Sequence, residues 1–239
     1  MLSRMAKREN PYISLIANIV LPTIVLTRLS VDGLLGPTYG LLAALSFPIT
    51  YGALDFWRRK KVNFFSALGL ASVLLTGGIG LLKLDPQYIA LKEAGVPLLV
   101  SFAVFASMKT KFPIVKSFLQ KLMDYDKVQT ALEERKNTEA FDRHMTFANH
   151  LFAGSFLVSA ALNFFLAKWI VVSAPGTEAF NAELGKMTAL SFPVIALPIT
   201  LMMAFVLYGI ISKTEQLTDL NMEDFFFGAK GKEKEGSVS

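Results

Sequence analysis

Lys92 and Glu93 stand side by side at the edge of an otherwise uncharged run. Their types and place make them the strongest candidates for chemistry. An ammonium and a carboxylate inside a membrane are costly unless they pair or face a wet cavity. Two readings follow. In one, the pair contacts a translocated ion or small solute, with Asn18 and Asn163 as further polar groups in mid-run. In the other, Lys92 extends outward to the lipid headgroups and Glu93 pairs with Lys83 or a backbone group. Asn18 and Asn163 then act as hydrogen-bonding glue between helices.

Other chemistries lack their residues. Without cysteine, disulfides and thiolate metal sites are excluded. His144 and His150 are six apart and point to different faces of a helix, so no metal site is expected. The sequence holds no phosphate-binding G-x-x-x-x-G-K-[ST], no G-x-S-x-G nucleophile turn and no H-E-x-x-H. No catalytic set and no cofactor are expected, and an enzyme is the least supported class.

The elements that must carry these residues are apolar. Hydrophobic residues make up 53% of the 239, charged ones 18%, and mean hydropathy is +0.46. A chain of this composition fits a polytopic membrane protein. Uncharged runs cover 10–27, 33–54, 62–82, 94–108, 151–167 and 187–212. A helix crosses ~30 Å of hydrocarbon with about 20 apolar residues. The runs lack the two-residue alternation of barrel strands. The expected fold is an all-α membrane protein, a bundle of about six transmembrane helices. The first run follows Arg4, Lys7 and Arg8, but no small-residue cleavage site follows it, so it reads as a retained helix.

Charge placement sets the expected orientation. With the N-terminus inside, most of the 24 lysines and arginines fall on the cytoplasmic side. Only Arg28, Lys83, Lys168 and Lys186 fall outside. This is a positive-inside pattern with both termini cytoplasmic. Trp57, Arg58, Arg59, Lys60 and Lys61 then anchor one interface, with Asp55 in a local ion pair, and Trp169 anchors the other. The net charge of +5 is explained by orientation and by anionic lipid at the cytoplasmic face, not by nucleic acid.

The fourth run has 15 residues, a rise of only ~22 Å. Its helix must therefore start earlier, with Asp85 and Pro86 as cap and first position, which draws Lys92 and Glu93 into it. Loop 109–146 repeats Phe112, Val115, Leu119, Leu122 and Met123 at helical spacing beside Lys116 and Lys121. That helix either lies on the membrane surface or forms a hairpin packed on the protein. Asp126 is expected to cap a second helix through Arg135, and Thr138 a third that runs into the fifth span. The domain reading is 1–211 for the membrane domain with this cytoplasmic loop. Residues 212–239 read as a polar, disordered tail interrupted by Phe225, Phe226 and Phe227.

Gly36, Gly40, Ala44, Pro48 and Gly52 recur every four residues, as do Ser72, Thr76 and Gly80. Such ridges let helices approach closely, and Gly77 and Gly78 add small residues nearby. Ala44-Leu45-Ser46-Phe47-Pro48 recurs as Ala189-Leu190-Ser191-Phe192-Pro193, and the same offset of 145 relates Asn18 to Asn163. This suggests a parallel repeat of helices 1–2 and 5–6.

Several stretches together resemble a known family. They are Arg59-Lys60-Lys61-Val62, Thr76-Gly77-Gly78-Ile79-Gly80-Leu81, Tyr88-Ile89-Ala90-Leu91-Lys92 and Lys111-Phe112-Pro113-Ile114-Val115. Leu162-Asn163-Phe164-Phe165-Leu166-Ala167-Lys168-Trp169 and Leu184-Gly185-Lys186-Met187-Thr188-Ala189-Leu190 complete the set. In this order they resemble the intracellular septation protein A family of bacterial inner-membrane proteins, and more closely a sister group of it. The resemblance extends to about residue 211, with Lys92, Gly77, Gly78, Asn163 and Trp169 at matching positions. It implies a bacterial inner-membrane location and a link to cell division or envelope maintenance. It implies no reaction and no ligand. The chain departs from septation protein A in an extra span, a longer 109–146 loop and a charged tail. The partners expected are the bilayer and membrane or division proteins, with a homo-oligomer left open. A small transporter or channel is the alternative to a scaffold.

Overall fold

The computed structural model describes residues 15–59, 64–110 and 113–226. These are helical throughout, apart from turns and one bridge pairing Met123 with Phe226. The helices are α1 (Ile16–Leu29), α2 (Gly36–Arg59), α3 (Phe64–Leu81) and α4 (Gln87–Ser107), then α5 (Ile114–Leu122) and α6 (Tyr125–Glu134), then α7 (Thr138–Ile170), α8 (Glu178–Thr218) and α9 (Met222–Phe225). Three of them, α4, α7 and α8, are long and apolar enough to cross a membrane. α1 and the segment Leu70–Leu81 are shorter apolar helices.

Proline shapes two of these helices. Its ring removes one rung of the hydrogen-bond ladder, and a π turn can absorb the disturbance. α1 carries Pro22 between π turns at Ile16–Val20 and Val25–Leu29. α8 carries Pro193 within a π turn, Phe192–Ala196. Pro48 and Pro97 instead sit inside regular α-helix. The two copies of the Ser-Phe-Pro echo therefore differ in local backbone.

The chain forms two compact units. The first comprises Met1–Val96 and Ala160–Ala196. Its core gathers Leu41, Ile79, Ile89, Val171, Phe180 and Leu184. Close approach depends on a few glycines. A methyl group built on Gly40 would lie 2.7 Å from the Ser30 Cα, and one on Gly185 would lie 2.6 Å from the Thr27 methyl. Gly80 is equally tight against the Leu41 side chain, and Gly77 lies against Leu45. Ala44 is buried on the same ridge. The expected ridge is otherwise corrected. Gly52 and Gly78 face open space, and Gly36 is required by its backbone, with φ of 67° at the first residue of α2.

The second unit comprises Pro97–Ser159 and Leu197–Ser239. Here α5 and α6 fold as a hairpin on the protein. Val115, Leu119, Met123, Val128 and Leu132 are buried with Phe141, Met145 and Phe225. The cap of α6 is Asp124, not Asp126: the Asp124 carboxylate accepts the Lys127 N–H at 3.1 Å. Asp126 falls in the first turn instead. Thr138 opens α7 as its first residue.

Order also extends past the expected boundary at 211. α8 continues to Thr218, and α9 is closed by a reciprocal cap between Asn221 and Asp224. Phe225 is buried in the core, and its carbonyl accepts the Asp124 N–H at 2.7 Å. The tail up to 226 is therefore part of the folded unit. Phe227 and the charged end lie outside the described residues.

The glycine contacts give a paired test. Overpacking a close contact costs typically 1–3 kcal/mol. Gly40→Ala should lower the melting temperature in detergent, because its methyl meets Ser30 backbone. Gly78→Ala, facing open space, should leave it unchanged or slightly raised. Equal effects of the two would refute the packing assignment.

Candidate functional site

The start of α4 fixes the place of its charged pair. The Asp85 carboxylate accepts the Gln87 N–H at 2.9 Å and Pro86 precedes the first turn. The helix thus begins well before the uncharged run, as its length requires, and Lys92 and Glu93 lie within it.

Lys92 turns inward. Its side chain is 7% exposed, and its Nζ lies 2.6 Å from Glu93 Oε1 and 3.1 Å from Ser72 Oγ on α3. Outward extension to headgroups is not what this side chain does, and Glu93 pairs with Lys92 rather than with Lys83. Neighbouring positions on a helix point about 100° apart and do not ordinarily face each other. The long lysine stem bridges that angle. Glu93 is 27% exposed, so one end of the pair opens to its surroundings. Ser72 is anchored in turn, since its carbonyl accepts the Thr76 hydroxyl at 3.0 Å. The four-residue ridge on α3 signalled Ser72 only as a packing residue. Nothing in its spacing marked it as the partner of an ammonium.

Asn18 and Asn163 are half-buried in the same unit, and neither lacks a partner. Two further polar groups were not anticipated. Asn181 is fully buried and donates to the Pro37 carbonyl at 2.7 Å. Glu183 accepts from the Val172 N–H at 2.9 Å, the Ser173 N–H at 2.8 Å and the Ser173 hydroxyl at 2.6 Å. It thereby satisfies the backbone just beyond the end of α7. An Asn and a Glu in the first turns of a helix are common enough that sequence alone does not single them out.

The described cavities are apolar. A groove of about 320 Å³ between α2 and α3 is lined mostly by apolar side chains, Leu42, Leu45, Ile49 and Leu74 among them, with Ser46 and Thr50 as its polar groups. A second, of about 400 Å³, is lined by Leu151, Leu201, Met202, Phe205 and Val206. Such surfaces suit acyl chains better than a hydrophilic solute. Among the described residues no His, Asp and Glu side chains cluster to hold a metal ion.

At the surface, Trp57 is 78% exposed and Trp169 is 75% exposed. Trp169 packs on Phe165 with ring centres 5.5 Å apart. Arg58 and Arg59 lie in the last turn of α2, and Lys60 and Lys61 fall outside the described residues. On α5, partial burial pulls the Lys116 pKa down. The Tyr125 side chain and the Asp142 carboxylate, 3.8 Å away, outweigh that and hold it above the usual lysine value. His144 Nε2 lies 3.1 Å from the Gly209 carbonyl, and His150 bonds within its own helix.

No family model, no curated protein and no solved structure matches this chain. Function therefore rests on the geometry and on the residues themselves.

The Lys92 geometry carries a measurable cost. Breaking a buried pair by removing one partner typically costs 3–5 kcal/mol, because the other charge stays behind. Glu93→Gln leaves the ammonium with Ser72 as its described partner, and should destabilise the protein by about 3 kcal/mol in thermal unfolding. Lys92→Gln should cost less, since Glu93 retains some access to solvent. A change below about 1 kcal/mol for Glu93→Gln, as for an exposed pair, would show that the pair is solvated.

Proposed function

We propose that the chain is a non-enzymatic integral membrane protein of the bacterial inner membrane, similar to septation protein A. In this reading α1–α4, α7 and the apolar part of α8 make six crossings, with both termini cytoplasmic. The Ser-Phe-Pro echo is read here as a repeated hairpin whose two copies differ in local backbone. The protein serves as a scaffold for envelope or division proteins, presented by the helical module of residues 113–145 and 210–226.

One observation carries this reading. The module closes an apolar core of its own around Leu132, Phe141 and Phe225, from chain that lies mostly outside the uncharged runs. A membrane bundle does not need such a body to fold. Its second helix turns Asp126, Lys127, Thr130, Glu133 and Glu134 outward, a polar face suited to a protein partner in water.

A transporter or channel is the second reading, and the buried Lys92–Glu93 pair favours it. Ionisable groups at membrane depth commonly mark ion or proton paths.

Three experiments test these proposals. Reporter fusions after Lys61, Met108 and Ser212 should all report cytoplasm, and a periplasmic signal from any of them would overturn the topology. Purified protein in liposomes should show no ion or solute flux. In a bacterium lacking the protein, division or envelope defects should be rescued by wild type but not by Phe225→Ala, which opens the module core. Lys92-dependent flux would replace the scaffold by a transporter.

A further inference from the structure

α5 is apolar on two faces. Val115, Leu119 and Met123 point into the core of the second unit. One position back at each turn, Ile114, Phe118 and Leu122 form a second stripe, and all three are exposed. Phe118 is 59% exposed. The partner helix α6 has no such stripe, and its outward residues are charged or hydroxylated. Solvent therefore accounts for the outer face of α6 but not for that of α5.

The position of α5 says what covers it. The backbone N–H of Ile114 donates to the Ser107 hydroxyl at 3.1 Å. Ser107 is the last residue of α4, one of the three helices long and apolar enough to cross a membrane. The Thr110 N–H also returns to the Ser107 carbonyl at 2.9 Å, tightening the turn. The first residue of the stripe is thus tied to the end of a membrane helix. That end of α4 exposes Phe102 and Phe105, so in the membrane reading the stripe continues a surface that meets lipid. Lys121 is exposed at one edge of the stripe, and Lys109 is exposed just ahead of the helix. Basic residues beside an apolar stripe on a short helix are the pattern of an interfacial helix. Each lysine near an anionic leaflet adds attraction.

We propose that α5 lies on the bilayer, with Ile114, Phe118 and Leu122 among the upper acyl chains and Lys109 and Lys121 at anionic headgroups. The inference rests on the membrane reading above. It goes beyond it by assigning a lipid-binding face to one helix of the module. Met123, the residue just after this helix, forms a backbone bridge with Phe226, so the lipid-binding helix runs directly into the contact that seats the C-terminal segment.

The sequence has no cysteine, so a single introduced cysteine can be spin-labelled without removing others. Phe118→Cys, Thr130→Cys on α6 and Phe102→Cys on α4 would be labelled and reconstituted in phosphatidylcholine vesicles with and without phosphatidylglycerol. Collision with oxygen reports lipid, and collision with a soluble nickel complex reports water. The Phe118 label should resemble the Phe102 label, with nickel access several-fold below that at Thr130. Its shielding should deepen when phosphatidylglycerol is present. Nickel access at Phe118 equal to that at Thr130 would overturn the proposal. So would shielding from both reagents with spin–spin broadening that unlabelled protein dilutes away, which would mean that a second copy covers the stripe. Equal shielding in both vesicles would overturn the role of the lysines. A Phe102 label exposed to water would instead refute the membrane reading on which the inference stands.

Discussion

Where water is absent, each polar group must find its partner within the chain, and much of this structure is arranged around that requirement. Its hydroxyls show it most simply. Thr27, Thr76, Thr188, Ser191, Thr214 and Thr218 each donate to the carbonyl four residues back in their own helix. A hydroxyl used this way costs the bundle no interhelical partner, so threonine and serine can sit among leucines. Some groups that the helices cannot satisfy alone are met from neighbours, while Thr23 Oγ1, Tyr125 Oη and Asn181 Oδ1 are buried without a hydrogen-bond partner among the described residues. Glu183 takes up two N–H groups and a hydroxyl beyond the end of α7, and the Asn181 amide takes the Pro37 carbonyl at the start of α2. Lys92 is the same problem with a full charge, met by a carboxylate and a hydroxyl.

Close approach is the second condition, and it follows from the first. Short side-chain reach is useful only if backbones lie near each other. Gly40 and Gly185 give that proximity, one against the Ser30 backbone and the other against Thr27. In the second unit the contacts are ordinary core packing instead. Aromatic and aliphatic side chains from α5, α6, α7, α8 and α9 enclose Phe141 and Phe225. Exposed pairs such as Arg135–Asp219 ring its surface and contribute little, ~0–1 kcal/mol each.

The helices were largely legible in the sequence because their signals are long. Uncharged runs and the Asp85-Pro86 start placed α4 with Lys92 inside it, and the loop period placed α5. Of the six expected spans, three described helices are long and apolar enough to cross a membrane, and several local details differ. Asp124 and Asp126 are both plausible caps, and only the backbone at Asp124, non-helical with ψ of 85°, decides between them. The tail read as polar because composition averages over its length. Phe225 is a single anchor, and one buried ring with a capping box is enough to hold a turn that its neighbours would not. Four-residue spacing could not say which glycines meet a neighbour, so Gly52 and Gly78 were grouped with Gly40. At the candidate site, residue type identified Lys92 and Glu93. Their mutual pairing depends on a side-chain path that adjacency in sequence argues against, and Ser72 comes from another helix altogether.

That adjacency matters for what the helix asks of its neighbours. A lone charge in a membrane helix is costly and must find a partner. A pair that joins two helices is complete only once they pack. Here both halves belong to α4 and lie 2.6 Å apart without help from another element. The pair therefore needs no second helix to be neutral, and α4 carries its own counter-ion wherever it packs. Ser72, from α3, adds a hydroxyl 3.1 Å away to a charge that is already matched.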